Sequence, residues 1–174
     1  MMEALDPATV KPEELVALWE NLQRDGTGVD DRLINRPDVF MTNFLMPGTL
    51  YVPWGRWGLG IAQALNPKGD CIVHFAIWDR TIEPYVIYTT AKNSLKWLFD
   101  TYELVRITAA IPEVNTGAIR LARLLCFQQE GIIRKGFLQR DRWYNIRLFG
   151  LLREEFQHAT GSDDSDRDSS VGGV

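Results

Sequence analysis

The chain has 174 residues, of which 45% are hydrophobic and 24% charged; this balance excludes a wholly disordered protein and is typical of one domain with a packed core. No apolar run approaches the ~18 residues that a transmembrane helix needs, and the first residues lack the basic and apolar regions of a signal peptide. We therefore expect a cytoplasmic protein with no membrane partner. Cys71 and Cys126 lie inside apolar runs without metal-binding spacing, which predicts buried, reduced thiols and no metal site.

The net charge of −4 is concentrated at the C-terminus. Residues 161–174 carry four aspartates against one arginine and have no apolar periodicity, which predicts a flexible acidic tail able to bind a protein partner. We therefore divide the chain into an N-terminal helical segment at residues 1–38, a mixed α/β domain at residues 39–160 and the acidic tail at residues 161–174.

The first predicted element is an amphipathic helix. It starts at Pro12, ends before Gly26 and repeats apolar residues at helical spacing, namely Leu15, Leu18, Trp19 and Leu22. Residues 30–35 could add another helical turn, which Pro37 would end.

An antiparallel meander is predicted next. Runs of β-branched and aromatic residues, separated by turn signals rich in proline and glycine, indicate strands at residues 39–45, 49–54, 58–65 and 71–78. The run at 71–78 is the strongest strand signal in the chain.

After the meander, helices and strands alternate, which is typical of a mixed α/β domain. A helix is predicted at residues 90–103, with Leu95, Leu98, Phe99 and Tyr102 on its apolar face. The remaining elements are a strand at 105–111 ended by Pro112, a helix at 116–125 capped by Asn115 or Thr116, a strand from Phe127, a strand at 143–149 and a helical turn at 150–156.

The stretch from Asn115 to Gly131 resembles the second half of the acetyl-CoA-binding motif of the GCN5-related N-acetyltransferases (GNAT), most of all the subgroup that acetylates protein N-termini. The residues on the family pattern are Asn115, Ala118, Phe127, Glu130 and Gly131. With a closing segment at 150–156, the resemblance covers residues 40–156. It implies an α/β fold of the α+β type: a mixed, mostly antiparallel sheet of six or seven strands flanked by helices, in a single domain, splayed between the strand at 105 and its neighbour.

The resemblance also implies acetyl-CoA as cofactor, with its pyrophosphate on a glycine-rich loop that opens a helix. That loop should fall near residues 87–93, where the chain has no glycine. Thr89, Thr90, Lys92 and Asn93 could supply donors together with Asn115, and binding should then be weak and dependent on salt. The alternative is a purely structural role, in which Thr89 or Thr90 only caps the helix.

The catalytic groups that the resemblance implies are incomplete. The tyrosine that protonates the leaving thiolate in many family members corresponds to Ala122. Carboxylates at strand ends could accept a proton from an amine through water, and we single out Glu113 and Asp79, ahead of Glu83, although each could equally be a solvated loop acid. His74, alone in its strand, is interpreted as a packing residue.

Residues 120–147 form a basic stretch, with seven Arg or Lys side chains against two acids and with interleaved aromatic residues. This composition suits the adenosine 3′-phosphate of CoA, a nucleic-acid backbone or an acidic protein surface, or it is a solvated sheet edge. No nucleic-acid-binding motif accompanies it, so we expect a protein partner rather than nucleic acid. The oligomeric state is not predicted.

Two functions of different classes follow from these patterns. One is an acyl-CoA-dependent N-acyltransferase with a degenerate cofactor motif, acting on an amine. The alternative is a non-catalytic structural or assembly component that keeps the fold alone. Elements within residues 111–131 also resemble acetyltransferase-like proteins encoded among the head and internal-virion genes of short-tailed bacteriophages, and that likeness implies a place in the virion.

Overall fold

A six-stranded mixed sheet organises the computed structural model, which describes residues 2–5, 9–25, 30–32 and 36–159. Ten helices and strands are bounded within these residues: α1 (Pro12–Asp25), α2 (Pro37–Phe44), β1 (Leu50–Trp54), β2 (Gly58–Gln63), β3 (Asp70–Ile77), α3 (Pro84–Tyr102), β4 (Arg106–Pro112), α4 (Thr116–Leu124), β5 (Gln128–Gln139) and β6 (Arg142–Leu152). A further helical stretch follows at 153–159. The predicted tail at 161–174 lies outside the described residues, and the domain division at residue 38 stays a prediction.

The strand order is β1-β2-β3-β4-β6-β5, and only the central pair, β3 and β4, is parallel. The other four pairings are antiparallel. The predicted fold class, a mixed and mostly antiparallel sheet flanked by helices in a single domain, is therefore confirmed. A parallel pair needs a crossover between its strands, and here α3 provides it.

The sheet buries a different apolar cluster on each face because strand residues alternate between the faces. On one face, Cys71, Ile107 and Phe149 pack with Leu95 of α3 and Ala122 of α4. On the other face, α1 and α2 cover a smaller aromatic cluster, whose buried members are Phe40, Phe44, Tyr51 and Leu59. Burial raises the pKa of the Cys71 thiol to about 12, in agreement with the predicted core thiol.

The predicted strand at 39–45 is wrong, because this segment is helix α2. Pro37 occupies the first turn of α2, where its missing amide hydrogen breaks no helical hydrogen bond, so it begins a helix rather than ending one. Phe40 and Phe44, four residues apart, place their rings 6.1 Å apart on the buried face. A short apolar run fits either period, and packing against the sheet selects the helix.

The C-terminal prediction also needs a correction. Strand β6 continues to Leu152, so residues 150–152 are not helical, and the helix begins only at Arg153. Gly150 lies where the Arg106 side chain of β4 meets Glu130 of β5 in a two-pronged ion pair across β6. A side chain at Gly150 would collide with both partners.

The segment between α1 and α2 is attached to the hairpin of β5 and β6. The buried Asp30 carboxylate accepts hydrogen bonds from the Leu138 amide at 3.0 Å and from the Arg32 guanidinium at 2.7 Å. These bonds hold the Asp30 pKa at about 2, below its usual value near 3.8. The N-terminal segment is thus anchored to the far edge of the sheet.

Candidate functional site

A gap opens in the middle of the sheet where the two parallel strands separate. β3 and β4 pair over four residues only, and the last pair is Val73 with Ala109. Beyond it, β3 stays paired with β2 as far as Ile77, and β4 stays paired with β6 as far as Pro112. The facing edges of β3 and β4 therefore carry backbone groups without a strand partner between them. The predicted splay beside the strand at 105 is confirmed.

Aromatic side chains from β1 and β3 pack together on the face of the sheet that α3 covers. Phe75 of β3 lies 4.7 Å from the Trp54 ring, and Trp54 lies 5.4 Å from Trp57. The Trp54 indole N–H donates a hydrogen bond of 3.0 Å to the Ser94 hydroxyl inside α3. This packing fixes α3 against the strands on the β3 side of the gap.

Helix α3 begins at Pro84, six residues before the predicted start at Thr90. The predicted loop position at residues 87–93 is therefore wrong, because these residues are helical. The Thr89 hydroxyl donates to the Tyr85 carbonyl at 2.9 Å, as it does within a helix, and does not cap. Backbone amides along this stretch are used by helical hydrogen bonds, so only side chains remain for a ligand.

The four α3 residues predicted to bind the cofactor do not form one group. Thr90 and Asn93 line a cavity of about 790 Å³ beside the β1–β2 turn, and Trp57 lines the same cavity. Lys92 instead places its amine 6.0 Å from the centre of the Tyr88 ring. The role of all four residues, Thr89 included, as cofactor ligands stays a prediction.

The connection that opens α3 is residues 78–83, which has no glycine and carries two acids, Asp79 and Glu83, against one base, Arg80. Asp79 Oδ1 accepts hydrogen bonds from the Thr81 amide at 2.9 Å and from the Thr81 hydroxyl at 2.6 Å. Glu83 occupies the N-cap without a side-chain cap bond, and Pro84 removes one amide from the first turn. This helix start therefore fits a pyrophosphate poorly, since Asp79 engages the Thr81 amide, Pro84 has no amide hydrogen and the stretch carries one net negative charge.

Asp79 and Glu113 end the two parallel strands and so lie at the same edge of the sheet. The Thr81 hydrogen bonds lower the pKa of Asp79, which makes it a weaker base. Glu113 Oε1 accepts from the Asn145 amide at 2.9 Å, and its Oε2 accepts from the Asn145 side chain at 3.3 Å. Both carboxylates are thus engaged in local structure, and their catalytic roles stay predictions.

Asn115 forms the predicted cap of α4. Its side-chain oxygen accepts a hydrogen bond of 3.1 Å from the Ala118 amide. Ala122, at the position that the resemblance gives to a tyrosine acid, is 5% exposed and buried in the core. At the end of α4, Cys126 is exposed rather than buried, which corrects the prediction, and has a left-handed backbone with φ of +68°.

His74 is the first β3 residue after the paired region. Its Nε2 lies 3.1 Å from the side-chain oxygen of Gln63, an arrangement that places the ring proton on Nε2 and leaves Nδ1 as an acceptor. Burial lowers the pKa of the ring, so the neutral form dominates at pH 7. The burial of the ring and its Gln63 partner agree with the interpretation of His74 as a packing residue, and its position directly follows the last β3–β4 pair.

Sequence reasoning singled out Asp79 and Glu83 but missed that residues 78–83 lead directly into α3. Two local signals could have found it. Asp79 stands two residues before Thr81, a spacing typical of a side-chain turn, and Pro84 follows an acidic residue as proline does at the first position of a helix.

Among the described residues, no helix is both long and apolar enough to span a bilayer, and no group of three or more His, Cys, Asp or Glu is placed to hold a metal ion.

Comparisons with known proteins support the fold. No family model matches the sequence, and no curated protein matches it. A spermidine N-acetyltransferase from Vibrio cholerae, solved in complex with CoA and spermine, is 15% identical, with a TM-score of 0.71 over 90% of this chain and 96% of that one. A ribosomal-protein-S5-alanine acetyltransferase from Vibrio fischeri is 14% identical, with a TM-score of 0.65 over 84% of this chain and 92% of that one. The chain therefore has the fold of the GNAT acetyltransferases.

Proposed function

We propose that the chain is an N-acyltransferase that holds an acyl thioester between β3 and β4 and transfers its acyl group to an amine. The observation that carries this proposal is the gap itself, because its unpaired strand edges can hydrogen-bond the amide groups of a pantetheine arm. The fold is shared with acetyltransferases, one of them solved with CoA and spermine. We infer a primary amine as acceptor, of the polyamine or protein N-terminal type.

The chain suits one half of CoA, the pantetheine arm, better than the other half, the nucleotide. The strand edges suit the pantetheine arm, whose thioester supplies an activated acyl group when bound. The start of α3 does not suit the pyrophosphate, because Asp79 occupies the Thr81 amide and Glu83 adds negative charge. We therefore expect the nucleotide half of CoA to contribute little to affinity.

Among the titratable groups near the gap, we assign the proton-accepting role to His74. Its Nδ1 has no partner among the described residues, its ring is neutral, and it stands where the strands separate. Asp79 and Glu113 remain weaker candidates because their oxygens already accept hydrogen bonds. Ala122 offers no proton to the departing thiolate, so we expect slow turnover at neutral pH.

The experiment that tests this function compares acetyl-CoA with acetyl-pantetheine, which lacks the nucleotide. Isothermal titration should give dissociation constants within about threefold of each other. Thiol release should be detectable with spermine or an N-terminal peptide amine, and should fall in His74→Gln and at pH values that protonate His74. A preference for acetyl-CoA above about tenfold would contradict the difference in fit between the two halves of CoA, and binding without turnover would contradict catalysis.

A second candidate function is a non-catalytic interaction or assembly component. It is favoured by the same acidic helix start and by the apolar residue at the acid position, Ala122. A component of a bacteriophage particle would be one instance of it. Failure of both acetyl-CoA and acetyl-pantetheine to bind at millimolar concentration would favour this function over acyl transfer.

A further inference from the structure

A second concave surface lies on the flank of α4, away from the gap. This cavity, of about 530 Å³, is bounded by Arg120 and Arg123 of α4 and by Arg147 of β6, with Ile119 and Leu124 as apolar lining. Arg147 pairs in register with Ile111 of β4. Because β4 separates β6 from β3, the cavity is one strand beyond the gap and is a separate site.

The cavity lining carries more positive than negative charge, with three arginines against the single carboxylate of Glu113. Arg120 and Arg123 are exposed and form no ion pair among the described residues. Glu113 is the one carboxylate in the lining, and both of its oxygens accept hydrogen bonds from Asn145. Three guanidinium groups therefore face this space against one carboxylate, that of Glu113, whose oxygens are also held by Asn145.

Arg147 adds a buried donor without an acceptor. Its Nη1 donates to the Gln129 side chain at 3.2 Å, whereas its Nε is buried and has no hydrogen-bond partner. A buried N–H of a charged group is unfavourable without an acceptor, so the protein itself leaves the Arg147 guanidinium incompletely satisfied.

We infer that the cavity between α4 and β6 binds a small organic phosphate. Guanidinium groups present their donors in a planar fork that matches two phosphate oxygens. The charge of three such groups is better matched by a phosphate dianion than by a ligand with one carboxylate. Ile119 and Leu124 give the organic part of the ligand an apolar surface. This site lies outside the gap, with Glu113 as the one lining residue that was also weighed for acyl transfer, and it refines the basic stretch at residues 120–147 to three of its side chains.

The test is titration of the full chain with inorganic phosphate and with glycerol 2-phosphate at constant ionic strength, followed by calorimetry and by phosphorus NMR line width. Arg123→Gln and Arg147→Gln should each weaken binding by about tenfold or more, since each removes charge-assisted hydrogen bonds. Arg134→Gln is the matched control, because Arg134 is exposed in the same basic stretch but lies on β5, outside the cavity lining.

Arg123 is exposed, so its variant keeps the test sound even if Arg147→Gln unfolds. Tighter binding of glycerol 2-phosphate than of inorganic phosphate, lost in Arg123→Gln and retained in Arg134→Gln, supports the site. An equal loss in Arg134→Gln would show a diffuse electrostatic effect and overturn it. Absence of phosphate binding to the wild type, or equal affinity for the two phosphates, would also overturn the inference.

Discussion

The two helices that follow the central parallel strands begin in opposite ways. At α4, the Asn115 side chain accepts a hydrogen bond from the Ala118 amide, and arginines line the flank. At α3, Glu83 makes no side-chain cap bond, and Pro84 replaces an amide donor. Asp79 engages the amide of Thr81 just before that start. One helix thus has a cap and a basic flank, and the other has an acidic entry.

This difference teaches that a shared fold does not preserve the charge of its helix termini. Backbone geometry gives every helix start a preference for anions, but the side chains around it decide whether an anion can approach. Here the carboxylates of Asp79 and Glu83 oppose that preference at α3, whereas Arg120 and Arg123 extend it along α4. Fold similarity alone therefore does not carry the cofactor contacts of the family to this chain.

The largest expected effect concerns how the two helices pack. Leu98 of α3 is 4% exposed, whereas Leu121 of α4 is only partly buried. Leu98→Ala should lower the free energy of unfolding by roughly 2–5 kcal/mol, because it leaves a cavity in the core. Leu121→Ala should cost less, since its site is partly open to solvent. Urea denaturation measures both, and equal losses would contradict the difference in packing.

Substitutions at the two helix caps should change the free energy of unfolding by smaller amounts, which differ between α3 and α4. Asn115→Ala should lower the free energy of unfolding by about 0.5–2 kcal/mol through loss of the cap hydrogen bond to Ala118. Glu83→Gln should change it by only about 0.3 kcal/mol, because no cap bond is lost and the charge is exposed to solvent. Thermal unfolding at matched salt checks both. A larger loss for Glu83→Gln than for Asn115→Ala would reverse the comparison.

Removing the acidic entry of α3 should improve binding of the nucleotide half of CoA. The double variant Asp79→Asn, Glu83→Gln should raise acetyl-CoA affinity about three- to tenfold at low salt, because two like charges near the phosphates are lost. Acetyl-pantetheine is the matched control ligand, and its affinity should not change. Equal gains for both ligands, or none for acetyl-CoA, would show that charge at this terminus does not limit binding.

The smallest change in stability is expected at the C-terminal ends of α3 and α4, which have the same backbone conformation. Both end in a left-handed residue other than glycine, with φ of +53° at Glu103 after α3 and +68° at Cys126 after α4. Cys126→Gly and Glu103→Gly should each stabilise the fold by up to about 1 kcal/mol, as relief of backbone strain exceeds the added chain entropy of glycine. A loss of stability in either variant, measured by denaturant midpoint, would argue against strain at that position.

Several parts of the site follow from local sequence. The Asn115 cap and the helix after it are signalled by residue type and spacing, and the structure confirms both. The strand at 71–78 and the alternation around residues 105–111 likewise identify β3 and β4. These features depend on neighbours within a few residues, which is the range that periodicity reports.

Other parts were misassigned for physical reasons that can be named. The apolar run at 39–45 is too short to distinguish the strand period from the helix period, and burial of Phe40 and Phe44 selects a helix. Threonine suits an N-cap, which favours a start of α3 at Thr90, but Pro84 is the stronger positional signal and the helix begins there. This error moved the expected anion loop into the helix interior.

The sequence by itself determined the amphipathic faces of α3 and α4, the cap at Asn115, the lack of glycine before α3 and the excess of basic residues from 120 to 147. Tertiary structure alone decided that β3 and β4 part after Val73, and that Arg147 of β6 comes to lie opposite Arg120 and Arg123 of α4. Periodicity encodes which face of an element is buried, whereas strand register and the approach of distant side chains depend on contacts between residues far apart in the chain.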